Sequence, residues 1–259
     1  KFLHCYQKDW RFKMKSEHII IYGGSSLISK ELIKMLSKNC NQFTIFCRKK
    51  NDVENNLKGI MPENFKINIY ETDIMDLEKN FSIVENLENN ISGLIWISGF
   101  TGNAEKEFLD TAMGEKNIRV NFLNPVLITN KIIPKMLTDG NSFIVAVSSV
   151  AGIRGRAKQL FYSSAKSGLI SYFSGLRQKL ENKKIHVLTV IPGYINTKTF
   201  QDEGRKGPSF LISSPEQAAK IIYKGIKSKK EIVYINFLWR FIMFCINLIP
   251  EKIFKKLSF

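Results

Sequence analysis

Tyr162 and Lys166 stand four residues apart in Tyr162-Ser163-Ser164-Ala165-Lys166, so on a helix they share one face. An ammonium beside a phenol favours the phenolate and makes a tyrosine a usable acid or base. Ser149 lies thirteen residues earlier, in Ser148-Ser149-Val150-Ala151-Gly152, at the end of an apolar run that reads as a strand. A YxxxK spacing by itself occurs by chance in many helices; a strand-end serine just before it gives the spacing meaning. A second constellation sits near the start, where Gly23-Gly24-Ser25-Ser26-Leu27-Ile28 follows another apolar run. Small residues there permit a tight turn whose backbone N–H groups, at a helix N-terminus, can meet a pyrophosphate. The usual dinucleotide spacing places glycines where Leu27 and Ser29 stand, so taken alone the turn is read almost as well as a plain strand-to-helix connection.

The elements that must position these groups follow from periodicity. Residues 18–22 (HIIIY), 43–47, 66–71, 93–97, 142–147, 184–191 and 231–235 are apolar runs of strand length, as expected for strands buried on both faces. Helical spacing fills the intervals, at residues 26–37 and, in long stretches, at 120–137 and 159–180. The alternation predicts an α/β fold: a single Rossmann-type, doubly wound parallel sheet of about seven strands with helices on both faces. Ligands gather at the carboxyl ends of such strands. Arg48, in Cys47-Arg48-Lys49-Lys50, ends the second strand, with no carboxylate before Asp52. Its planar fork suits a 2′-phosphate; the competing reading is ordinary surface charge. NADP(H) is favoured, with NAD(H) the alternative. Asp73, followed by Ile74, either accepts a hydrogen bond from an adenine amino group or caps the helix starting near Asp76 and Leu77.

A chain of 259 residues, 44% hydrophobic and 24% charged, is globular and long enough for one large core. With 39 Lys and Arg against 23 Asp and Glu, the net charge of +16 favours anionic partners. Nucleic acid is set aside, because the lysines are dispersed and no helix-turn-helix, zinc-finger or RNP pattern occurs. Cys5, Cys40, Cys47 and Cys245 have no paired spacing and histidines number three, so neither a metal site nor a disulfide framework is expected, and the thiols fit a cytoplasmic setting. Residues 1–17 read as a poorly ordered extension without a secretory pattern, 18–235 as the NAD(P)-binding domain and 236–259 as an apolar, basic helical tail. Within the tail, residues 237–249 (FLWRFIMFCINLI) are too short for the ~20 needed to span a bilayer. Asn236, Arg240 and Asn247 share one narrow stripe, and Lys252, Lys255 and Lys256 follow. Such a helix either lies peripherally on the inner face of a membrane or packs on its own domain or across a dimer. Residues 197–214 read as a lid over substrate, with Lys198, Arg205 and Lys206 placed to meet a phosphate.

In order along the chain, Gly23-Gly24-Ser25-Ser26, Asp73, Asn121, Ser149, Tyr162-x-x-x-Lys166, Pro192-Gly193 and Thr197 make residues 18–235 resemble the short-chain dehydrogenase/reductase family. The resemblance implies an NAD(P)H-dependent reduction of a ketone by a catalytic tetrad of Asn121, Ser149, Tyr162 and Lys166. It implies cofactor contacts from Gly23, Gly24, Ser25, Ser26, Leu27, Ile28, Arg48, Asp73, Ile74 and Gly99. Tyr162 and Lys166 would hold the nicotinamide ribose, and Pro192, Gly193, Ile195 and Thr197 the nicotinamide. Departures are Leu27 and Ser29, and Trp96-Ile97-Ser98-Gly99 where the family has Asn-Asn-Ala-Gly. Residues 97–105, 148–152 and 249–257 are also similar to the subgroup that reduces a decaprenylphosphoryl keto-pentose in cell-wall polysaccharide synthesis. That narrower resemblance implies a keto-sugar on a polyprenyl phosphate, and a flavin-dependent oxidase as the partner that makes the ketone. A 3-oxoacyl, sphingoid, steroid or free-sugar ketone, or a non-catalytic dinucleotide-binding scaffold, are the alternatives, and a homodimer or homotetramer is left open.

Overall fold

In a computed structural model of the chain, which describes residues 16–62, 65–102, 109–197, 200, 201, 204 and 207–257, the apolar runs become strands. They are β1 (Ser16–Tyr22), β2 (Cys40–Cys47), β3 (Lys66–Glu71), β4 (Ile91–Trp96), β5 (Phe143–Val147), β6 (His186–Ile191), two short strands β7 (Tyr194–Ile195) and β8 (Ile212–Ser213), and β9 (Ile232–Tyr234). Seven of them form one parallel sheet in the order β3-β2-β1-β4-β5-β6-β9, winding outward in both directions from the β1–β4 pair. A ligand crevice belongs at that switch point. Helices α1 (Leu27–Leu36), α2 (Lys50–Leu57), α3 (Leu77–Glu85), α4 (Thr111–Ile118), α5 (Asn124–Ile132), α6 (Leu160–Leu180), α7 (Pro215–Lys227), α8 (Phe237–Leu248) and α9 (Glu251–Phe254) are the described α-helices, and short 3-10 and π turns join several elements.

Successive residues of a strand face opposite sides, which is why residues 18–22 are apolar throughout. Ile19 and Ile21 pack with Phe43, Ile45, Leu32 and Leu36, and with Ala219 and Ile222 of α7. Ile20 and Tyr22 pack on the other side with Phe46, Trp96, Ile128, Leu169 and Phe173. Tyr22 is stacked between Phe46 (ring centroids 4.2 Å) and Trp96 (4.1 Å). Trp96 Nε1 donates to Thr129 Oγ1 at 2.8 Å. The Trp96 departure from the family pattern is therefore a buried core contact.

Some boundaries differ from expectation. β2 starts at Cys40, three residues before the apolar run, because it pairs with β1 from Ser16 onward. The helix expected over 120–137 is interrupted: a π-turn, Arg119–Leu123, joins α4 to α5, and a 3-10 turn, Ile133–Lys135, ends it at Pro134. The 197–214 excursion is closed at its base by parallel pairing of Tyr194 with Ile212 and Ile195 with Ser213. Lys198, Arg205 and Lys206 lie outside the described residues, as do residues 1–15 and 103–105. The tail does pack on its own domain, with Trp239 and Met243 buried against Val150, Ile191 and Leu211. Among the described residues no helix is long and apolar enough to cross a membrane.

Candidate active site

The glycine turn is set by backbone geometry. Gly23 has φ +91, and its N–H and that of Gly24 both donate to Phe46 O, at 3.1 and 3.2 Å. A Cβ on Gly23 would lie 2.6 Å from Ser98 N, so both the conformation and the space require glycine. At Gly24 a Cβ would run into the Ile45 side chain. Ser26 caps α1, its Oγ accepting from Ile28 N at 3.2 Å. Ser29 is buried and its hydroxyl donates to Gly23 O at 2.8 Å, so the residue that replaces a family glycine pins the turn instead. Leu27 is exposed on the rim.

From this turn a cleft of about 440 Å³ runs past Arg48, Asp73 and Ile74, then Ser98, Gly99 and Phe100, to Ser149, Tyr162, Lys166 and Pro192, Gly193, Ile195 and Thr197. Of the residues expected in the site, all but Gly24 and Asn121 line it. Arg48 is exposed at the end of β2. Asp73 is not a helix cap: Asp76 caps α3, accepting from Lys79 N at 3.0 Å. Asp73 Oδ1 instead accepts from Met75 N at 2.9 Å, and Asn80 Nδ2 donates to Asp73 O at 2.8 Å. Ser98 Oγ is buried on the cleft with no hydrogen-bond partner among the described residues. A glycine cradle, an orphaned hydroxyl and an exposed guanidinium along one crevice fit a phosphorylated dinucleotide.

The wall that carries Ser149, Tyr162 and Lys166 is braced from behind. Lys166 is 3% exposed and its Nζ donates to Val147 O at 3.1 Å, 5.7 Å from the Tyr162 ring centroid. Burial pushes its pKa down from 10.5 to about 8. Ser148 Oγ donates to Lys166 O at 2.8 Å, and a Cβ on Gly152 would lie 2.6 Å from the Lys166 carbonyl carbon. The segment 148–152 therefore rests directly on the backbone of α6. Ser149 Oγ accepts from Ala151 N at 3.1 Å, which leaves its own proton to donate.

Asn121 is buried in the π-turn. Its Nδ2 lies 2.6 Å from Phe100 O and 2.7 Å from Asn117 Oδ1, and its Oδ1 accepts from Phe100 N at 3.1 Å. A Cβ on Gly99 would sit 3.4 Å from Asn121 Oδ1 and 3.8 Å from Lys166 Nζ. The amide is thus committed to holding the 99–100 segment.

Two contacts tie the tail to this wall, and sequence reasoning found neither. The Trp239 indole occupies the space a Cβ on Gly193 would need, donates to Leu211 O at 3.1 Å, and meets Tyr194 edge to face at 5.3 Å. Arg154, two residues past Gly152, donates to Ile246 O (2.5 Å) and Ile249 O (2.7 Å), pairs with Glu251 at 2.8 Å and stacks 3.7 Å over Phe254. A guanidinium on the last carbonyls of α8 suits the negative end of that helix. Val150 N donates to Pro192 O at 2.9 Å, joining the two loops.

The chain matches the model of the short chain dehydrogenase family over residues 17–207. It is 27% identical over 252 residues to a 3-ketodihydrosphingosine reductase of Dictyostelium discoideum, covering 86% of this chain and 75% of that protein. It is 28% identical over 177 residues to a 3-oxoacyl-(acyl-carrier-protein) reductase of Aquifex aeolicus, covering 64% and 70%. Its fold is similar to that of a short chain dehydrogenase from Burkholderia cenocepacia solved with NADP, with a TM-score of 0.77 at 16% identity over 94% of this chain and 98% of the other. With its doubly wound sheet, its glycine turn and a serine, tyrosine and lysine on one cleft, the chain belongs to the short-chain dehydrogenase family of oxidoreductases.

Proposed function

We propose that the protein reduces a ketone to a secondary alcohol with NADP(H), and that the ketone is carried on a lipid. The observation that carries the first part is the convergence of Ser149, Tyr162 and Lys166 at the far end of the cleft that begins at Gly23. A reduced nicotinamide dinucleotide bound along that cleft supplies a hydride. Ser149 donates a hydrogen bond to the ketone oxygen, and Tyr162 gives it a proton as negative charge builds there. Lys166 spends one N–H on Val147 O and keeps two donors for the ribose hydroxyls and the tyrosine side of the site. With Asn121 Nδ2 committed to Phe100 O and Asn117, a water ordered by Asn121 would meet the second lone pair of Oδ1 or the main chain, in a turn that departs from the ordinary helical ladder. Arg48 and the missing carboxylate at the end of β2 support NADP(H) over NAD(H), as does the NADP held by the Burkholderia cenocepacia relative.

The lipid part is supported by the keto-lipid substrate in the name of the Dictyostelium relative and by Tyr194, Phe200 and Phe100 on the substrate end of the cleft. Its narrowest form is a keto-sugar on a polyprenyl phosphate, made by a flavin-dependent oxidase. The test is NADPH oxidation with a panel of lipid-phosphate keto-sugars, a sphingoid ketone, a 3-oxoacyl thioester, a steroid ketone and free keto-sugars. Turnover of lipid-borne ketones and not of free sugars is the expected result. Turnover confined to free sugars would overturn the lipid part alone, and no oxidation with any member would count against reduction itself.

A further inference from the structure

Helix α8 is apolar on two opposite sides, and the domain uses only one of them. Trp239, Ile242, Met243 and Ile246 face inward, Trp239 and Met243 being buried and the other two packed beside them. At about 100° per residue, Phe237, Phe241, Phe244 and Leu248 form a stripe on the far side. They are 77%, 67%, 61% and 66% exposed. Beyond the helix Ile253 and Leu257 are also exposed. Of the twelve large apolar side chains exposed among the described residues, these six fall within 21 residues of chain, a concentration that scattered surface leucines do not show.

Charge decides what covers the stripe. Residues 236–257 contain four cations, Arg240, Lys252, Lys255 and Lys256, against one acid, Glu251, which is already paired with Arg154. A second copy docking by the same face in a two-fold dimer would bring like-charged lysines together. An anionic lipid surface answers both features, taking the phenylalanines among its acyl chains and the lysines among its headgroups.

We propose that the outward face of α8, with the lysines that follow it, docks the protein on an anionic lipid surface. The inner face of the same helix lies on Gly193 through Trp239, so the docked surface and the nicotinamide-side loop are one helix diameter apart, about 10 Å. The inference goes beyond ketone reduction and does not depend on it.

The test is co-sedimentation of the full chain with vesicles of pure phosphatidylcholine and with vesicles that also contain phosphatidylglycerol, at low and high salt. Binding is expected only to the anionic vesicles. The joint change Phe237→Gln, Phe241→Gln, Phe244→Gln should weaken it by on the order of tenfold or more, with the melting temperature unchanged because these side chains are exposed. Lys252→Ala, Lys255→Ala and Lys256→Ala together should weaken it and reduce its salt dependence. A full chain that never sediments with anionic vesicles would overturn the proposal, as would a triple-phenylalanine variant that binds as well as the parent. Light scattering is the companion measurement: a parent dimer that the phenylalanine changes convert to monomer would assign the face to a second copy instead. NADPH oxidation with a water-soluble ketone reads the chemistry separately.

Discussion

At the glycine-turn end of the cleft the serine side chains act locally, Ser26 reaching two residues and Ser29 six, although Phe46 O and Asn56 Nδ2 also hold the turn from outside it. At the end that carries Ser149, Tyr162 and Lys166 the bracing contacts behind the wall reach further, 18 residues from Ser148 to Lys166 and 95 from Arg154 to Ile249. On the proposed function the first end would bind mainly with backbone, and the second would act with side chains whose positions are fixed by distant elements. A change on the exposed rim of the first end, at Arg48, should therefore stay a binding defect, and a change behind the Tyr162–Lys166 wall should reach stability, turnover and the tail together.

The largest expected break is Gly152→Val. Its side chain would meet the Lys166 backbone, which cannot yield as a flexible side chain would, so a loss of about 3 kcal/mol and most of the turnover is expected. Denaturant melts and NADPH oxidation check it; an unchanged midpoint would mean that the 148–152 segment does not rest on α6 as described. Arg48→Glu probes the other end. Its discrimination should shift from NADPH towards NADH by about 1–3 kcal/mol in kcat/KM, with no change in melting temperature. A parent enzyme that already prefers NADH would make Arg48 mere surface charge.

Arg154→Ala sharpens the contrast at smaller cost. Its hydrogen bonds to two helix-end carbonyls are worth about 1–2 kcal/mol together, while Glu251, largely exposed, adds little. Limited proteolysis should then cut near residues 246–251 before the rest of the chain unfolds. The smallest effect is in pH. In the cofactor-free protein Lys166 loses its proton as pH rises through about 8, and a bound ribose favours the charged donor. Dinucleotide affinity should be flat below pH 8 and fall a few-fold by half a unit above it, and Lys166→Met should flatten the profile. A parent profile flat across that range would show that the lysine charge does not serve binding.

Which parts were legible in the sequence follows the same division. Tyr162 with Lys166 and the 23–28 turn are local patterns, and both, Gly24 apart, line one cleft. The sheet was legible too, because strands buried on both faces leave unbroken apolar runs. What stayed hidden depends on folding in three dimensions. Nothing near Gly193 announces that Trp239 will lie on it, and nothing near Arg154 announces the carbonyls of Ile246 and Ile249. Ser29 looked like a defect in a glycine motif because its hydroxyl's acceptor, Gly23 O, appears only once the turn closes. The π-turn at Asn121 breaks a helix whose apolar spacing runs straight through it. The outward phenylalanines of α8 resemble core residues in sequence, and only the packing of the opposite face shows them to be outside.

The measurement closest to the central claim is a paired one on Tyr162→Phe, taking NADPH oxidation with a turned-over ketone alongside NADPH affinity by fluorescence titration. The variant removes one hydroxyl and keeps the ring beside Lys166. Turnover is expected to be abolished while dinucleotide affinity stays within a few-fold of the parent, because the proton donor is lost and the glycine turn, Arg48 and Lys166 remain. Near-normal turnover in Tyr162→Phe would contradict it.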